Sequence, residues 1–194
     1  MAILCGPPTF EFQVRHNQLG NATLNQSDSS PRRLLRYRRT EPEQWRRAPH
    51  VNIQPYSDKA HRDQVVALWE SVLGYDAPHN RPRVVIDKKL AAQDQLFFVV
   101  LVGDAVVGTV MAGYDGHRGW IYALAVAPPN RRQGIGTSLM SAAEQALRRR
   151  GCMKINLQIL PGNENVAAFY ASLGYAVEQR VSMGKCLSEN VPPA

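Results

Sequence analysis

The stretch NRRQGIGTSLM, residues 130–140, follows directly on WIYALAVAPP (120–129) and opens onto SAAEQALRRRG (141–151). Gly134 and Gly136 stand one residue apart, with Thr137 next and Arg131 and Arg132 ahead. An apolar run that reads as a strand therefore feeds a glycine loop and then a helix. The first amides of a helix have no partner inside it, and the helix dipole places partial positive charge there. Glycine removes the Cβ atoms that would hold a ligand off the backbone, Thr137 adds a hydroxyl donor, and the arginines add charge. A pyrophosphate fits that chemistry. A P-loop needs GxxxxGK[ST], and no lysine follows Gly136. A dinucleotide-binding unit needs GxGxxG after the first strand of a βαβ unit, but here the third glycine is missing and antiparallel strands come first.

Working outward, VNIQPY (51–56) alternates like a short strand, and SDKAHRDQVVALWESVL (57–73) predicts a helix capped by Ser57 or Asp58. Its apolar residues Val65, Val66, Leu68, Trp69, Val72 and Leu73 fall at helical spacing. A short helix is expected near IDKKLAAQ (86–93). LFFVVLV and AVVGTVMAGY around Gly103-Asp104 predict a hairpin, and DGHRG turns into a third strand, WIYALAV. Beyond the glycine loop, Ile135, Leu139, Ala143 and Leu147 lie on one helical face. Arg148, Arg149 and Arg150 suit the end of that helix and Gly151 its stop. KINLQIL (154–160) reads as a strand, NENVAAFYASLG (163–174) as a helix, and YAVEQRVSMGKCL (175–187) as a closing strand. The expected class is α+β with a mixed sheet.

The chain has 194 residues, 44% of them hydrophobic, enough for one domain with a real core. No apolar run approaches the length of about 18 residues that a membrane span requires. MAILCGPPTFEF lacks a basic segment and a sustained apolar one, so no secretory signal is expected. Cys5, Cys152 and Cys186 are scattered, without the spacing of a disulfide framework or a zinc site. No metal is expected, and a reducing, cytoplasmic setting follows. The net charge is +7, and residues 1–50 hold eight arginines against four acids. Residues 1–48 show no periodicity and read as a basic extension outside a domain spanning 49–190. Such an arm could touch nucleic acid. It lacks aromatic interleaving beyond Tyr37 and Trp45, however, and a solvated tail accounts for it.

RRQGIG matches the pattern R/Q-x-x-G-x-G/A, with Arg131, Gly134 and Gly136 at its defining positions. Here the chain resembles the GNAT superfamily of acetyl-CoA-dependent N-acetyltransferases. The resemblance runs from about Val51 to Leu187 and includes NENVAAFYASLGY, similar to the family's N-x-x-x-x-x-x-Y-x-x-x-G-[FY] segment. It implies a mostly antiparallel twisted sheet with one splayed strand pair, flanked by about four helices. The splayed strand, at Leu124, Ala125 and Val126, would pair with the pantetheine arm of acetyl-CoA. The loop and first helical turn would hold the pyrophosphate through Arg131, Arg132, Gln133, Gly134, Ile135, Gly136 and Thr137. Asn163 matches a cofactor-contacting asparagine and also suits a helix cap. Tyr170 matches the family tyrosine that protonates the departing thiolate, a reading preferred, because the motif places it, over that of a core residue of its helix. The amide of Leu124 would stabilise the thioester oxygen.

The motifs are similar to the branch that acetylates ribosomal-protein N-termini, which carries a glutamate where this chain has Gln158. Gln158 cannot accept a proton, which puts that route in doubt. Asp115, His117 and Glu70 remain as candidate bases, with a simple Asp-Gly turn as the plain reading of GYDGHRG (113–119). The acceptor is read as an amine on a small molecule, a protein N-terminus or a lysine, and a homodimer is left open. The competing readings are a catalytically weak acyl-CoA-binding module and a protein that uses its arginine-rich arm on nucleic acid.

Overall fold

A computed structural model describes residues 52–74 and 77–187. The arginine-rich stretch expected to form an extension, residues 1–48, lies outside the described residues. Within them, β1 (Asn52–Pro55) leads to α1 (Asp58–Val72), a single 3-10 turn (Pro78–Asn80) and α2 (Pro82–Ala91). Three strands follow: β2 (Phe97–Val102), β3 (Ala105–Tyr114) and β4 (Gly119–Val126). The chain then forms α3 (Ile135–Arg149), β5 (Ile155–Asn156) and α4 (Glu164–Ser172). The sheet order is β1-β2-β3-β4-β5, antiparallel throughout except for the parallel β4–β5 pair. This is the mixed α+β architecture expected from the sequence.

Local chemistry explains most boundaries. Ser57 stands at the N-cap of α1 in extended conformation, but its hydroxyl makes no cap bond. Its N–H instead donates to Nδ1 of the buried His61 at 2.9 Å. The helix expected near residue 86 starts earlier, at Pro82, because proline is pre-set for a first helical position and has no N–H to lose. Arg62 ties α1 to α2, bonding Asp58 at 2.8 Å and Asp87 at 2.7 Å. The β2–β3 hairpin turns through Gly103, whose φ of +58° suits a residue without Cβ.

Both sheet faces are covered. Ile135, Leu139, Ala143 and Leu147 of α3 are buried as one stripe against Val107, Val110 and Ile121. On the other face Val65, Val66 and Trp69 of α1 pack with Phe97, Val99 and Met111. No helix among the described residues is long and apolar enough to cross a membrane.

Two strand expectations need correction. KINLQIL forms a strand only at Ile155–Asn156, because β5 and β4 share just the pairs Gly119–Ile155 and Trp120–Asn156 before parting. YAVEQRVSMGKCL forms no strand. A strand needs a ladder partner, and two residues of β5 offer almost none. That segment meets the β5 region through side chains instead: Glu178 pairs with Lys154 and Asn156, and Ser182 bonds Gln158. Its alternating apolar residues Val177, Val181, Met183 and Leu187 are exposed.

Gly119 sits where β4, β5 and α3 converge. A Cβ there would lie 2.9 Å from both Cys152 Sγ and Leu147 Cδ1 and 3.2 Å from Ile155 Cγ1. Gly119→Ala is expected to destabilise the fold by about 1–3 kcal/mol through overpacking, read as a lowered urea midpoint at unchanged slope. An unshifted midpoint would mean that this junction has slack.

Candidate functional site

The separation of β4 from β5 leaves one flank of β4 without a strand beyond Trp120. Along the same stretch β4 bulges. Tyr122 faces Met111 and Ala125 faces Thr109, so Ala123 and Leu124 together oppose Val110. Ala123 takes a φ of +45°, rare for a residue with a Cβ. Its carbonyl accepts from Thr109 Oγ1 at 3.1 Å, and Thr109 Oγ1 accepts from Trp69 Nε1 at 2.8 Å. Trp69 and Thr109 are fully buried.

After Val126 the chain makes a 3-10 turn, Pro128–Asn130, and enters the glycine loop. Arg131 is extended, Arg132 has φ +62° and Gly134 φ +79°, so left-handed residues are interleaved with ordinary ones. Such alternation turns successive amides toward one concave side. The N–H groups of residues 132–137 have no hydrogen-bond acceptor among the described residues; the first amide of the helix to be satisfied is that of Ser138, on Gly134 O at 3.0 Å. The Ser138 hydroxyl is buried and also without a partner. Donors left open in this way suit an anion with several oxygens. Arg131 is not wholly free, since its Nε donates to Val126 O at 3.1 Å and braces the loop against the end of β4. Gln133 likewise reaches back to Pro129 O at 3.1 Å.

The two loop glycines serve different ends. Gly134 is needed for its left-handed backbone. At Gly136 a Cβ would meet Phe169 Cζ at 3.2 Å, so its bareness seats α4 on the first turn of α3. The sequence suggested ligand approach for both.

Asn163 occupies the N-cap of α4, but its side chain makes no cap bond; Nδ2 donates to Leu160 O at 3.3 Å. Tyr170 is 8% exposed, with its ring edge-on to Phe169 and Tyr175 at centroid distances of 5.1 and 5.7 Å. Burial pushes its phenol up to about 12, so it holds its proton at neutral pH. Tyr170 is thus a core residue of α4 that keeps its proton. Leu124, Ala125 and Val126 end β4 beyond its pairing with β5, and Gln133 to Thr137 run from the loop into the first turn of α3.

Among the candidate bases, Asp115 is committed to its turn: Oδ1 accepts the amides of His117 at 2.7 Å and Arg118 at 2.6 Å. Those bonds hold its carboxyl below the ordinary range. Gln158 is exposed and bonded to Ser182.

Two features escaped the sequence reading. One is the Trp69–Thr109–Ala123 chain, whose only signal was a threonine amid valines. The other is Glu144 on α3, 7% exposed, which accepts from Tyr175 Oη at 3.0 Å and so ties the chain just past α4 to α3.

The match to known proteins follows the same outline. A family model described as the acetyltransferase (GNAT) family covers residues 62–175. An acetyltransferase of Yersinia enterocolitica, YE1169, is 39% identical over 125 residues, which is 64% of this chain and 88% of the relative. Among solved structures, Ard1 from Thermoplasma volcanium superposes with a TM-score of 0.58 at 23% identity, over 66% of this chain and 84% of that one. AAC(6')-Iy, solved with a CoA-linked bisubstrate analog, gives 0.55 at 16% identity, over 72% of this chain and all of that one, 100%. At these identities the two structures share the fold.

Burial raises the Glu144 carboxyl above its ordinary 4.5, against the opposing pull of Tyr175 and Arg148. The folded chain thus holds that proton more tightly than the unfolded one. The stability tied to this group is complete below the ordinary glutamate range and is lost as pH rises through the folded value. Glu144→Gln keeps an acceptor for Tyr175 and carries no charge. It is expected to flatten that fall, measured by urea unfolding of both proteins across the range; parallel curves would show that Glu144 ionises at no cost.

Proposed function

We propose that this chain, which belongs to the GNAT acetyltransferase family, transfers an acetyl group from acetyl-CoA to an amine acceptor. The observation that carries the reading is the run of unpartnered amides from Arg132 to Thr137, opening beside the free flank of β4. The loop amides, with Ser138 and Thr137 hydroxyls and the charge of Arg131 and Arg132, would bind the pyrophosphate. The stretch Leu124, Ala125 and Val126, paired with β3 on one side and with Val126 O held by Arg131, would offer the groups still open on its other flank to the pantetheine amides. Asn163 at the start of α4 would face the same arm.

Acetyl-CoA supplies an activated thioester. The amine nitrogen attacks the carbonyl carbon, a C–N bond forms, and the C–S bond breaks. The amide of Leu124 would stabilise the charge gathering on the carbonyl oxygen. Tyr170, protonated at neutral pH, would give its proton to the leaving sulfur and recover one as the amine loses its own. Alkylamines are largely protonated at neutral pH, so turnover is expected to rise as pH climbs toward the acceptor's own range. The acceptor class includes small-molecule amines, protein N-termini and lysines.

Calorimetry with acetyl-CoA and with S-acetylpantetheine, which lacks the pyrophosphate, tests the loop. Acetyl-CoA is expected to bind at least tenfold more tightly, on the order of 1.4 kcal/mol or more. Equal affinities would remove the loop as the anchor. Tyr170→Phe is expected to lower kcat by roughly a hundredfold while acetyl-CoA affinity holds. An unchanged kcat would discard Tyr170 as the acid. Heat of binding without thiol release across a panel of amines would instead support an acyl-CoA-binding module.

A further inference from the structure

Ala123, with φ +45°, is held in a conformation that L residues avoid. Such strain persists only where the surroundings over-determine it. Here the surroundings are two hydrogen bonds with a fixed direction. An indole N–H can only donate, so Thr109 Oγ1 must accept from Trp69 Nε1. The hydroxyl's one proton is thereby turned onto the Ala123 carbonyl. The two side chains sit away from water: Trp69 and Thr109 are 0% exposed, and the half-buried Ala123 packs against the core beneath α1. Bonds in such a setting polarise one another and resist exchange with solvent.

The consequence lies one atom further along. The Ala123 C=O and the Leu124 N–H belong to a single peptide plane, and no cis bond occurs among the described residues. In a trans peptide the two point in opposite directions. Because the carbonyl is drawn toward Thr109 on β3 and Trp69 on α1, the Leu124 N–H is aimed away from both. In the order β3-β4-β5, the side of β4 away from β3 is the flank that β5 leaves open. We propose that Trp69 and Thr109 are positioning residues that fix the Ala123–Leu124 peptide with its N–H directed into the gap between β4 and β5, where it serves as the oxyanion donor. This rests on the acetyl-transfer reading given above.

Thr109→Val removes the hydroxyl and keeps the side-chain outline. It is expected to lower kcat for thiol release by roughly ten- to a hundredfold with KM for acetyl-CoA within about twofold, and Thr109→Ser to recover most of the loss. Trp69→Phe leaves the hydroxyl free to rotate and is expected to fall between wild type and Thr109→Val. Should Thr109→Val fail to fold, Trp69→Phe carries the comparison. Full kcat in Thr109→Val, or in Trp69→Phe if it stands alone, overturns the assignment, as does a Thr109→Ser variant no better than Thr109→Val. A wild-type chain that releases no thiol with any amine sinks the acetyl-transfer reading instead. In that event the carbonyl-carbon shift of Ala123 and the amide-nitrogen shift of Leu124 still decide the positioning. Both are expected to move in Trp69→Phe, and shifts that stay in place overturn it.

Discussion

β4 and β5 are joined by two residue pairs and then separate. Backbone amides and carbonyls removed from a ladder need other partners, so a strand left open on one flank must be held from its other sides. The remaining structure supplies that support. β3 pairs with β4 along nearly its whole length, α1 packs beneath the bulge, and Arg131 fastens the loop to the last carbonyl of β4. β4 is therefore braced on one flank and left without a strand on the other.

The helices and the first four strands were legible because periodicity reports burial directly. Ile135, Leu139, Ala143 and Leu147 are as buried as their spacing required. Gly151 and Gly174, with φ of +80° and +89°, follow the ends of α3 and α4 as helix stops should. What sequence could not show is pairing. KINLQIL and YAVEQRVSMGKCL have strand-like composition, but a strand exists only with a neighbour in register. The divergence of β5 from β4 denies that neighbour to most of the first segment, and the second meets it only by side chains.

The site divides in the same way. The glycine loop could be read because its chemistry is local: backbone conformation and helix N-terminus lie within seven residues, 131–137. The bond from Trp69 to Thr109 spans 40 residues of sequence, and each partner alone reads as an ordinary core residue. The Glu144–Tyr175 bond, 31 residues apart, was hidden for the same reason. Gly136 shows a subtler limit. Its need for a bare Cα was visible, but the neighbour that imposes it, Phe169, belongs to another helix.

That neighbour couples two pieces of the molecule that are distant in sequence. Phe169 precedes Tyr170, and its ring touches the first turn of α3, so the helix bearing the phenol rests on the mouth of the glycine loop. Bulk at position 136 and bulk at position 169 form a size-conserving couple. A methyl gained at one is tolerated where volume is shed at the other, and homologous chains are expected to trade the two together rather than vary them independently.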